Sequence, residues 1–201
     1  MAAPSSMHFY LNWAKERIDE MDAALASLER KAAQAKAEAR PKVDQFIADL
    51  HKRRDEFQST VKKQAEAGEA AWEGIKVQLE KDRKSFEAEV DKYLETVAKD
   101  AEQKKAVFQV QVAAQVKAWR ETADKIQAAA QQFDARRRQD VDATVTRMKA
   151  DCAVAEKELQ TKLTQASTES LTALNAALTQ TRAVFDRANQ AAQEAFKRAM
   201  S

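Results

Sequence analysis

Glycine and proline are almost missing: the chain has two of each in 201 residues. Average usage would give roughly two dozen together. Tight turns, bulges and glycine-rich phosphate loops are therefore scarce, and no Walker pattern or dinucleotide fingerprint occurs. A single cysteine, Cys152, excludes an intrachain disulfide and makes a reducing cytoplasm the easier home. Only two histidines are present, His8 and His51, forty-three positions apart. Neither lies near Cys152 in sequence, and no Glu-x-x-His occurs, so neither a zinc site nor a di-iron centre is expected. Aromatic residues are 6% of the chain, which argues against a thick globular core. No apolar run approaches the ~20 residues that span a bilayer. The stretch Met1–Asn12 has neither a basic start nor a long apolar run, so a secretory signal is not expected.

What the chain does have is helix-forming material. Ala makes up about a fifth of it, charged residues 33%, and β-branched residues are sparse. The expected class is all-α, built from long amphipathic helices as a coiled coil or an elongated helical bundle. Basic and acidic residues number 34 and 32, for a net charge of +2. Such balance sets up no field for nucleic acid and suits solvated helix faces with i,i+4 pairs.

Near the start, Met7, Phe9, Tyr10, Leu11 and Trp13 form the densest apolar cluster, after a candidate N-cap at Ser5 or Ser6. Phe9 and Trp13 share a helix face. They either dock on a neighbouring helix or anchor at a lipid or polymer interface. From Leu11 a heptad follows, with Leu11, Ile18, Leu25, Ala32, Ala39 and Phe46 in one row and Ala14, Met21, Leu28 and Ala35 in the other. Pro41 kinks this segment at 40–41 or restarts it there. The N-terminal helical segment is thus 5–66. A hinge at 67–74, containing Gly68 and Gly74, separates it from a long segment over 75–200.

That second segment carries an eleven-residue row: Ile75, Phe86, Val97, Phe108, Trp119, Ala130, Val141, Cys152, Leu163, Leu174, Phe185, Phe196. Eleven residues make almost three helical turns, so the row forms one stripe. Two places weaken it. Asp134 and Arg136–Arg138 crowd the first, and Thr161, Thr164, Ser167, Thr168, Ser170 and Thr172 cluster at the second. Turns fall near 134–140 or 164–170 if the chain folds back. Because the register survives both places, the row favours one continuous helix or tandem units meeting one surface. A helix of about 126 residues would be about 190 Å long at 1.5 Å per residue. Such a rod must fold back, pair with another chain or lie on an apolar surface. The companion row is interrupted at Asp134, Glu156, Ser167 and Asn189, so the stripe is narrow.

The segments Ser167–Leu178 and Ala183–Phe196 are Ala-, Gln- and Ser-rich, with spaced Leu and Phe. This texture resembles the bacterial phasins that coat polyhydroxyalkanoate granules, and the eleven-residue repeats resemble those of exchangeable apolipoproteins. Apolipoproteins punctuate their units with proline, a part only Pro41 can take here. The phasin resemblance implies a non-enzymatic, self-associating protein that is soluble before it coats a granule.

The expectation is a non-catalytic coat or scaffold, with no catalytic residue, cofactor or metal. It would form a homo-oligomer in the cytoplasm and meet a storage granule or lipid surface through Ile75, Phe86, Val97, Phe108, Trp119, Val141, Leu163, Leu174, Phe185 and Phe196, with Phe9 and Trp13 as an end anchor. The alternative is a protein-binding coiled-coil rod or spacer whose stripe is a permanent helix–helix seam. Cys152 lies on the stripe as a small apolar residue with no base beside it. The basic runs His51–Arg54 and Arg136–Arg138 have acids nearby and no interleaved aromatics, so specific nucleic-acid binding is not expected.

Overall fold

A computed structural model of the chain describes residues 6–68, 71–96, 101–165 and 171–201, and the side chains of residues 6, 7, 73, 101 and 171 are not described. Val97, Ser5 and most of the expected turn at 164–170 lie outside the described residues. Everything described is helix or short turn, with no strand among the described residues. Six helices follow in order: α1 Ser6–Ala32, α2 Arg40–Ala67, α3 Trp72–Thr96, α4 Ala101–Ala130, α5 Ala135–Gln165 and α6 Leu171–Met200.

The joints have local causes. At the end of α1, Arg30 and Lys31 sit where a helix C-terminus favours positive charge. The Ala-rich stretch that follows has little apolar area to bury, and the chain turns there through short backbone bonds such as Ala35 N–H to Ala32 O. Ala39 of the expected heptad is the N-cap of α2, and Pro41 lies in the first turn, where its missing N–H has no intrahelical partner to lose. Gly68 closes α2 at φ 94°, a conformation that side chains with a Cβ rarely adopt. Gly74 lies inside α3 and needs no such freedom.

The long segment is not one continuous helix. α4 stops at Ala130, and the N–H groups of Gln131 and Phe133 bond three residues back, which tightens its last turn. Asp134 then caps α5: its Oδ1 accepts the N–H groups of Arg136 and Arg137, both at 3.1 Å. The turn therefore precedes the arginines, which occupy the first turn of α5. Eleven-residue spacing survives it because Ala130 and Val141 are each the interior position nearest the joint on their own helix, and both are fully buried. In the second weak stretch, Thr161 and Thr164 stay helical and donate to the carbonyls of Lys157 and Gln160.

The chain divides into two compact units. Unit 1 comprises residues 1–16 and 115–201, and unit 2 comprises residues 17–114. Each draws on both sides of the glycine region, because the boundaries fall inside α1 and α4. In unit 2, α2 runs antiparallel to α1, with Arg54 paired to Asp22 and His51 to Glu29. α3 packs antiparallel on α2, with Phe46 against Tyr93 and Arg53 near Glu89. In unit 1, α5 returns along α4, with Arg120 on Glu156 and Lys149 on Asp124, and α6 packs against α5. On α5 the buried residues are Val141, Val145, Met148, Cys152, Ala155 and Leu159, spaced alternately four and three, which is one helix face.

The two glycines should respond oppositely to alanine. Gly68→Ala should lower stability by about 1 kcal/mol, because φ is positive there. Gly74→Ala should raise it by a few tenths to about 1 kcal/mol, since a Cβ there meets open space. Urea denaturation of both variants checks the signs.

Candidate functional site

The apolar stripe is where the sequence points, and the structure places it inside the units. Phe86, Phe108, Trp119, Val141, Leu174, Phe185 and Phe196 are buried, as are Phe9 and Trp13. Ile75 and Leu163 are half-buried. Unit 1 brings several of them together. Trp119 of α4 meets Phe185 of α6 edge-on at 5.5 Å between ring centres. Phe196 meets Phe9 at 5.7 Å and Phe133 at 5.3 Å. These T-shaped pairs align ring edges with π faces and add to the burial of area. Unit 2 holds Phe86 and Phe108, both buried.

Cys152 is buried on the same face, its thiol 4.0 Å from the Val116 carbonyl. Burial pushes its pKa up to about 11, with Arg120 lowering and Glu156 raising it. The thiolate, which is the nucleophile, is therefore scarce at neutral pH.

Sequence reasoning missed a second feature. α1 buries polar groups as well as apolar ones: Asn12, Glu16, Arg17, Glu20 and Ser27 are all at or below 5% exposure. In unit 1, Gln115 of α4 donates to Glu16 at 3.0 Å, and Asn189 of α6 donates to the Phe9 carbonyl at 2.9 Å. In unit 2, Arg17 Nε donates to Glu80 Oε1 at 2.7 Å, and Arg83 Nε to Glu80 Oε2 at 2.9 Å. Arg83 also pairs with Glu87 at 2.6 Å. Burial alone would raise the Glu80 pKa and is the largest single influence, but the charges and hydrogen bonds of Arg17 and Arg83 together outweigh it and hold Glu80 at about 2. The i,i+4 spacing of Asn12, Glu16 and Glu20 was a legible signal of a polar row on one face.

Most members of the basic runs pair with acids. Lys52 lies 3.9 Å from Glu56, Arg54 is held by Asp22 and Asp55, and Arg53 lies 3.8 Å from Glu89. Arg137 pairs with Asp134 and Arg138 with Asp142. A shallow groove of about 480 Å³ lies between α1 and α2, floored by Ala32, Ala33, Ile47 and Ala48. His51 is 2.6 Å from Glu29 at its rim. No group of three His, Cys, Asp or Glu suited to a metal ion occurs among the described residues. Among those residues no helix is long and apolar enough to cross a membrane.

Two outcomes follow from this chemistry. A thiol reagent should leave Cys152 unmodified in the native protein at neutral pH and react stoichiometrically in denaturant, as absorbance of the released chromophore would register. Glu80 has a folded pKa of about 2 against an ordinary 4.5, so its contribution is present above pH 4.5 and is lost as pH falls towards 2. Stability measured by denaturant titration should fall across that window, with a shallower slope in Glu80→Gln. No protein-family model matches the chain, and no curated protein or solved structure matches it.

Proposed function

We propose that this chain is a non-catalytic amphipathic-helical coat or scaffold protein that stores its apolar stripe within helical clusters and turns it onto an apolar surface, a storage granule or lipid. The observation that carries this reading is the nature of the buried face. It mixes large apolar side chains with polar ones: Phe108 and Trp119 on α4 share it with Gln111, Gln115 and Thr122, and Leu174, Phe185 and Phe196 on α6 share it with Thr181, Arg182 and Asn189. Each helix is 25 to 31 residues long and amphipathic along its length, so it keeps its backbone bonds when neighbours separate. Exchanging helix–helix burial for helix–surface burial then leaves the apolar gain largely intact.

The resemblance of Ser167–Leu178 and Ala183–Phe196 to phasins supports a polymer-granule or lipid surface as the partner, and self-association before coating. Such a protein works in the cytoplasm at the periphery of its particle. Among the described residues, the large apolar side chains left exposed are Leu11, Val77, Val154 and Met200, which lie on four different helices. Scattered singly, they favour opening of the clusters over a ready-made seam for a second chain.

Co-sedimentation with phospholipid vesicles and with polymer granules tests the reading. The protein should pellet with at least one of them while keeping its helical circular dichroism, and its tryptophan emission should shift as Trp119 changes surroundings. Phe185→Lys combined with Phe196→Lys should cut binding at least tenfold. Absence of binding to both, with a heat-resistant oligomer unchanged by lipid, would sink it.

A further inference from the structure

In unit 1, α6 holds the start of α1 through one ring and one hydrogen bond. The Phe9 ring meets Phe196 edge-on, and the Phe9 carbonyl accepts the Nδ2–H of Asn189. His8 stands beside this contact in the first turn of α1, half-buried, with its ring edge-on to Phe9 at 5.8 Å. Its Nε2 is buried and has no hydrogen-bond partner. A neutral imidazole with its proton on Nδ1 leaves only a lone pair at that atom. Protonation puts an N–H and a share of positive charge there, with no acceptor for either. The surroundings add to the cost. A helix N-terminus disfavours positive charge, and the first turn of α1 carries no acid. Lys125 of α4 repels a second cation. The acids of this stretch of α4 are engaged, Glu121 with Lys15 and Asp124 with Lys149. On α6 the groups that meet Phe9 are uncharged, and Arg187, Glu194, Lys197 and Arg198 are exposed to water. Burial first and Lys125 second hold the His8 pKa below its ordinary 6.5.

We propose that His8 is a proton-operated release for the first turns of α1: in mild acid its imidazolium drives residues 8–14 away from their neighbours in unit 1 and uncovers Phe9. Once detached, the ring is hydrated and takes up its proton at the ordinary pH of about 6.5. A base that binds its proton more readily when detached lowers stability as pH falls through 6.5 towards its folded pKa, and costs nothing well above 6.5. The only other histidine, His51, belongs to unit 2 and has Glu29 as a partner at 2.6 Å. The release does not depend on the coat reading, because it is a property of the protein by itself.

Two histidines give two sets of imidazole resonances, so proton NMR of the full chain reads His8 directly, with His51→Gln assigning the signals. His8 should titrate below 6.5. Hydrogen–deuterium exchange, read by mass spectrometry and corrected for the intrinsic pH dependence of amide exchange, then reports the release. Between pH 7.5 and pH 5.5, peptides covering residues 8–16 should lose at least threefold in protection, while peptides covering 43–61 and 79–94 change less than 1.5-fold. In His8→Gln and in His8→Phe the ratio of protection at the two pH values should return to within 1.5-fold of one. That ratio is taken within each variant, so a lower overall stability does not obscure it. A His8 titration at or above 6.5 overturns the release. So does a loss of protection that persists in both variants, or one that is equal in the peptides of unit 2.

Discussion

Long helices with one apolar face are the constraint from which the rest of this structure follows. A lone amphipathic helix in water satisfies its backbone and leaves its side-chain row exposed, and burying one large side chain is worth about 1.5–3 kcal/mol. The chain meets this constraint by reversing direction. Antiparallel neighbours such as α4 with α5, or α2 with α3, set one row against another. The reversals use little special chemistry because so little is available: Asp134 as a cap, Gly68 at positive φ, and Pro41 in a first turn.

Covering a helix on several sides has a consequence that covering it on one side does not. α1 is buried over much of its circumference, with Asn12, Trp13 and Ala14 adjacent in sequence and all buried, as are Glu16 and Arg17. Polar side chains then enter the interior whatever their own preference, and each requires a partner there. Gln115 on Glu16, Asn189 on the Phe9 carbonyl, and the two arginines on Glu80 are the partners found.

All-α character and long helices were determined by the sequence alone, because composition and helix propensity are local quantities. Phe86, Phe108, Trp119, Phe185 and Phe196 are interior residues, as their spacing on a helix face requires. Only the tertiary structure decided what faces what. Spacing could not tell a continuous helix from two helices meeting at Ala130 and Val141, since an interior position on each side of a joint gives the same interval. Nor could it tell a two-helix seam from a helix enclosed by several neighbours. The number of neighbours around a helix sets the width of its buried arc, and that number arises from contacts far apart in the chain. Arg17 is buried with its charge, and one of its partners, Glu80, lies sixty-three residues away in the chain.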